Sequence, residues 1–289
     1  MVNEAVLTML KKYQLNNVQD YENALKEIIQ EIALLGLWRA KFFEHALFYG
    51  GSALRILFDL NRYSEDLDFS LLKPQADFKI DRYQNALVTE LRGFGFDVIF
   101  EQKQKSLSAI DSAFLKANTM AHFIKVNAQV KTHADAKLQI KLEVDRDPPQ
   151  GFTTQTKIQI FPIAYSVVTM TLPDLFAGKM HAILCRERIH NVKGRDFYDL
   201  VWYVRNSVPL RLSYLSTKMH QTKNLADDQK LTADQFRKIF TARINAVDFK
   251  MASADVLPFL RSQQERDELQ FWSKDFFAAT ILSKMSFID

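Results

Sequence analysis

The sequence predicts an α+β protein: a small mixed sheet behind a helical lead-in over residues 1–170, then a helical part over residues 171–289. Three observations predict it. Runs of period-two alternation, the spacing of half-buried strands, cluster between residues 46 and 161. Apolar residues recur at helical spacing on either side of them. Beyond residue 172 the chain reads as almost wholly helical.

The elements follow in order. Residues 4–45 predict two or three helices, with Leu7, Leu10 and Leu15 beginning the apolar pattern and Ala24, Ile28, Ile32 and Leu35 continuing it. Residues 46–49 are a short apolar run that reads as a strand, stopped by Gly50 and Gly51. Ser52 suits the cap of a following helix that ends near Leu60. A polar loop over 61–65 precedes a strand over 66–72. A helix over 80–95 is ended by Gly93 and Gly95, and strands are expected at 97–102, 122–130, 136–146 and 158–161. In the strand over 136–146, Leu138, Ile140, Leu142 and Val144 point one way. Gln139, Lys141, Glu143 and Asp145 point the other, and Pro148-Pro149 ends the run. Pro173 fits the first turn of a helix capped by Thr171 or Leu172. Helices are expected over 174–189, 195–206, 211–223, 233–246 and 262–283.

Composition narrows the class. With 47% hydrophobic and 25% charged residues the chain can fill a core, so disorder is excluded as a reading. No apolar run approaches the ~20 residues of a membrane helix, so no membrane partner is expected. The first residues read as an amphipathic helix and not as a signal peptide. Cys185 is the only cysteine and sits in an apolar stretch. It reads as inert, leaves no disulfide framework, and makes a cytoplasmic location the default. A net charge of +4 is compatible with a nucleic-acid partner without requiring one. His181 and His190 have no His or Cys at ligand spacing, which argues against zinc.

The chemistry concentrates between Phe48 and Ser70. A strand that ends in glycines and opens a helix presents unpaired N–H groups and the positive end of a dipole, and glycine lets a phosphate approach the backbone. The Ser52 hydroxyl can add a hydrogen bond to that phosphate. Asp66 and Asp68, two apart on a predicted strand, leave the same face. Such a pair is held together by a cation, and hard oxygen donors suit Mg²⁺, with Mn²⁺ as the alternative, shared with substrate phosphates. Glu143 or Asp145 offers a third carboxylate from another strand. Three carboxylates complete a two-metal site, in which one ion activates an attacking hydroxyl and the other holds the triphosphate.

The order GGSALR then RYSEDLDFS resembles the AbiEii-type nucleotidyltransferases of the DNA polymerase β superfamily. Lys179 to Leu184, Arg186, and Lys193-Gly194-Arg195-Asp196-Phe197-Tyr198-Asp199-Leu200 resemble that family's downstream motif. The resemblance runs from about residue 45 to 205. It implies a polymerase-β-like domain with Gly51 and Ser52 on the triphosphate and Asp66, Asp68 and Glu143 as catalytic metal ligands. It also implies Lys141 near phosphate and a helical-domain Lys179 that acts in catalysis and nucleotide binding; on a helix whose neighbours are largely apolar, Lys179 reads alternatively as a snorkelling surface lysine. Asp196 and Asp199 match later acidic positions, as nucleotide contacts or in an ion pair with Arg195 or Arg186. Arg62 reads equally as a substrate contact or a solvated loop residue, and Arg55 as solvated.

The function implied is nucleotide transfer from a nucleoside triphosphate to RNA, with tRNA ends as a target class, by a toxin paired with a separate antitoxin protein. The alternatives are a protein or small-molecule acceptor, or a catalytically silent binding module of the same fold. Asp66→Ala or Asp68→Ala is expected to abolish transfer without unfolding the chain. Lys179→Ala is expected to weaken triphosphate use and leave the fold intact. Labelled-nucleotide transfer beside a thermal melt checks each.

Overall fold

The computed structural model describes residues 3–103, 109–118, 137–186 and 192–289. They pack as two compact units. The first comprises Met1–Phe58, Tyr63–Pro148 and Gln155–Thr169; the second comprises Asp59–Arg62, Pro149–Thr154 and Met170–Asp289.

The first unit opens with α1 (Glu4–Leu10) and α2 (Val18–Arg39). Both begin at asparagines whose side chains accept from backbone N–H groups, Asn3 from Ala5 and Asn17 from Asp20. Helix α2 is buried along nearly its whole length, against α4 (Gln84–Gly93) and strand β5 (Lys137–Asp145). Gly36 lets α4 come close, since a Cβ there would lie 3.1 Å from Glu90 Cβ.

The sheet order is β3-β4-β5-β2-β1-β7-β6. Its strands are β1 (Ala46–Tyr49), β2 (Leu67–Leu71), β3 (Asp97–Lys103), β4 (Ile110–Asn118), β5, β6 (Thr154–Gln159) and β7 (Tyr165–Met170). Strands β1 and β2 are antiparallel, β2 and β5 parallel, and β1 and β7 parallel, so the sheet is mixed. Under it lies an aromatic core. The Phe42 ring meets Phe69 at 4.9 Å, Tyr83 at 5.0 Å and Phe78 at 6.3 Å.

Strands β4 and β7 were not expected from the sequence. The inward residues of β4 are Ala113, Leu115 and Ala117, and two alanines of the three weaken the apolar signal. The strand expected at 122–130, and His190, lie outside the described residues.

The second unit is helical. It holds α5 (Leu172–Cys185), α6 (Gly194–Arg205), α7 (Leu212–Gln221), α8 (Ala233–Asn245), α9 (Phe249–Val256), α10 (Gln263–Glu268) and α11 (Leu282–Lys284). A two-stranded ribbon pairs β8 (Leu210–Arg211) with β9 (Phe287–Ile288). Helix α5 stops at Cys185, where Arg186 turns extended; the remainder of the helix expected to reach 189 lies outside the described residues. The helix expected over 262–283 is broken. Trp272 is extended, and Ser273 then accepts the Phe276 N–H at 3.1 Å to start a new segment. That restart sends Phe277 into a ring cluster with Phe249, at 4.6 Å, and Phe197, at 5.4 Å. Among the described residues no helix is long and apolar enough to cross a membrane.

Inside the first unit lies a buried polar cluster. Arg55 reaches back from α3 (Gly50–Phe58) to Glu27 at 2.8 Å, and the Tyr13 hydroxyl donates to Glu27 at 3.0 Å. Arg55 is therefore not the solvated residue expected; α2 covers its side of α3. Glu31 lies beside this pair. Burial pushes its carboxyl up to about 7, with Glu27 reinforcing the shift and Lys12 and Arg55 opposing it. A carboxyl that holds its proton more tightly in the folded chain favours folding below the unfolded pKa and loses that contribution as pH rises through about 7. Glu31→Gln is therefore expected to raise stability at pH 8 by on the order of 3 kcal/mol and to change it little near pH 4. Urea midpoints at the two pH values test this, and an equal shift at both would contradict it.

Candidate active site

The site begins where β1 becomes α3. Gly50 takes φ +80°, a conformation that side chains other than glycine resist. It also faces Asp68: a Cβ on Gly50 would lie 2.5 Å from Asp68 Oδ2. The first glycine of the pair thus brings the helix start and the carboxylate together; the sequence reading named only Gly51 of the two as a site residue, on the triphosphate. Gly51 follows inside the first turn of α3, partly exposed.

Ser52 does not cap α3, because the helix already begins at Gly50. Its side chain is buried and points inward. The hydroxyl is hydrogen-bonded to the Ser64 hydroxyl at 2.9 Å and to the Asp66 carbonyl. In this arrangement Ser52 ties α3 to the chain that enters β2, and its hydroxyl is occupied within the protein instead of facing a phosphate.

Asp66 lies just before β2 and Asp68 is its second residue. The parallel register of β2 and β5 sets Asp68 opposite Glu143, on strands spaced about 5 Å apart. The antiparallel registers extend this row to Ser112 on β4 and Tyr49 on β1. Both residues escaped the sequence reading; Ser112 sits on the unforeseen strand, and Tyr49 was taken only as part of an apolar run. Glu143 Oε1 accepts from Lys141 Nζ at 2.7 Å and lies 3.4 Å from Ser112 Oγ. The apolar face of β5 is buried and its polar face partly exposed, as the alternation required.

The donor set suits a hard divalent cation, being all carboxylate and drawn from adjacent strands. The side chains have not converged into a cage: among the described residues no group of three acidic, histidine or cysteine side chains is placed to hold a metal ion. The Lys141 ammonium lies where it partly neutralises Glu143.

The remaining candidates meet in the second unit. Lys179 Nζ lies 2.6 Å from Asp196 Oδ1 and 2.8 Å from Asp199 Oδ2. Arg62 grips Asp199 through two bonds, Nε at 2.6 Å and Nη2 at 2.7 Å. Arg186 reaches Asp196 Oδ2 at 2.8 Å. Asp196 and Asp199 stand three apart on α6 and so share a face. Burial alone would lower Lys179 and Arg62 and raise Asp196. Their partners outweigh it, so both cations sit above their ordinary range and Asp196 below its own.

Arg62 is thus neither a solvated loop residue nor an open phosphate contact; its guanidinium is buried on Asp199. Lys179 does not snorkel to the surface either. Arg186 pairs with Asp196 alongside Lys179, and Arg195 lies over the Phe259 ring at 4.2 Å. Cys185 is partly buried and its thiol is pushed up to about 11 by that burial, in keeping with an inert side chain. This geometry changes one expectation. Lys179→Ala leaves Asp199 and Asp196 short of a buried partner, so it should destabilise the chain by about 3–5 kcal/mol. Chemical denaturation reads this directly, and an unchanged midpoint would return Lys179 to a dispensable position.

The family model described as nucleotidyl transferase AbiEii toxin, type IV toxin–antitoxin system, matches residues 32–279. No curated protein matches the chain. Two solved structures are similar at 14% identity and a TM-score of 0.46. One is a candidate nucleotidyltransferase from H. pylori, with 89% of each chain covered. The other is JHP933 from Helicobacter pylori, with 98% of this chain and 91% of that chain covered.

Proposed function

Since the chain belongs to the AbiEii nucleotidyltransferase toxin family of type IV toxin–antitoxin systems, we propose that its carboxylate face transfers a nucleotide from a nucleoside triphosphate to an RNA acceptor, with tRNA as the target class. One observation carries the reading: the register that sets Asp68 opposite Glu143, beside a helix that starts on two glycines. The N–H groups of that helix start suit the phosphates of the donor. Lys141 adds positive charge at the same face. Asp66, Asp68 and Glu143 would hold Mg²⁺ or Mn²⁺, as one ion or a pair, supplying charge neutralisation for the triphosphate and the departing pyrophosphate. The acceptor oxygen forms a bond to the α-phosphorus as the bond to the bridging oxygen breaks, and positioning supplies much of the rate.

In the second unit three cations, Arg62, Lys179 and Arg186, meet two carboxylates. Arg186, the partly exposed cation of the three, suits a ligand that carries phosphate. A formal charge of +4 for the whole chain is compatible with an RNA acceptor. The family implies a separate antitoxin protein as partner.

The test is incubation with each α-labelled nucleoside triphosphate, Mg²⁺ and total bacterial RNA, with Asp68→Ala as control. Label entering one RNA class, lost by at least about a hundredfold in the variant, is the expected result. Label on protein would replace RNA with a protein acceptor. Full activity in folded Asp68→Ala would overturn the site.

A further inference from the structure

Resting on that reading, we infer that Gln30 is a positioning residue for the carboxylate set, holding from α2 the loop that delivers Asp66 and Asp68. Gln30 is fully buried. Its Nε2 donates to the Ser64 carbonyl at 3.1 Å. Its Oε1 has no hydrogen-bond partner among the described residues. Burying an amide with one end unsatisfied costs stability, and leucine or methionine would fill the space without that cost. What the amide supplies is the single N–H bond to the loop.

Ser64 is the point at which that loop is clamped. Gln30 holds its carbonyl from α2, and Ser52 holds its hydroxyl from α3. Ser52 also holds the next carbonyl but one, that of Asp66. Other α2 residues reach the same region: Lys26 lies 3.4 Å from Glu65, and Glu27 anchors Arg55 on α3. Helix α2 therefore braces both the helix start and the carboxylate loop. Gln30 precedes the span matched by the family model, which starts at residue 32.

The experiment compares wild type, Gln30→Met, Gln30→Asn, the exposed same-helix control Gln19→Met, and Asp68→Ala. Each is measured for Mn²⁺ affinity by titration, for kcat and KM of transfer, and for thermal unfolding. Gln30→Met keeps the volume and removes the donor; Gln30→Asn keeps an amide that is one methylene short.

In either folded variant kcat is expected to fall about ten- to a hundredfold, with KM for the triphosphate little changed. Mn²⁺ affinity is expected to fall about tenfold. Gln19→Met is expected to match wild type. Wild-type kcat and Mn²⁺ affinity in a folded Gln30 variant would overturn the inference and leave the site reading standing. So would a loss of activity that only tracks the unfolded fraction. Wild-type protein whose Mn²⁺ affinity equals that of Asp68→Ala would overturn the site reading itself, and this inference with it.

Discussion

Gly50 must take a left-handed backbone conformation while the Asp68 carboxylate rests against its α-carbon. Either demand alone excludes most side chains; together they leave glycine. The arrangement around it follows from this constraint. The chain turns from β1 into α3 with no intervening loop, so the helix start lies at the edge of the carboxylate row. Ser52, two residues on, then faces inward and can bond the strand approach. Because β1 pairs with β2 and β2 with β5, the same turn fixes Tyr49, Asp68, Glu143 and Ser112 in one line across the sheet.

Buried charge recurs in both units and does different work in each. In the first, the Glu27–Arg55 pair joins α2 to α3, with Tyr13 completing the bonding of Glu27. In the second, Asp196 and Asp199 are each shared between two cations. Pairs of this kind contribute little net stability relative to apolar residues of equal size, because desolvation offsets attraction. They do penalise misplacement strongly, since a displaced partner leaves a bare charge in a poor solvent. Both clusters therefore act more as constraints on geometry than as sources of stability.

The mixed α and β character and the strand alternation around Glu143 were legible because each is a local pattern. The glycine-turn-helix motif was legible in kind, but its key position was not: the sequence shows two adjacent glycines, and only the backbone angle tells them apart. Ser52, Arg55, Arg62 and Lys179 were harder to read. Each is a polar residue with a local role that suits its type, as cap, solvated charge, loop cation or snorkelling lysine. Their roles come instead from partners distant in the chain, Ser64 and Asp66, Glu27, Asp199, and Asp196 with Asp199, which no local window contains. Strands β4 and β7 were missed for a related reason, since a strand takes much of its stability from the neighbours it pairs with and packs against. The break at Trp272 was missed because apolar residues resume at Phe276 after only three polar ones, Ser273-Lys274-Asp275.

The bond between Arg62 and Asp199 spans 137 residues. A ribosome adds roughly 5–20 residues per second, so Arg62 waits several seconds or longer in water before Asp199 exists. A guanidinium gives up its hydration only when its carboxylate arrives. The segment Asp59–Arg62, which leads into the carboxylate loop, therefore settles only after synthesis has passed α6. A chain that stops short of α6 therefore carries the Arg62 guanidinium without the carboxylate that buries it, so this part of the second unit is closed only in the longer product.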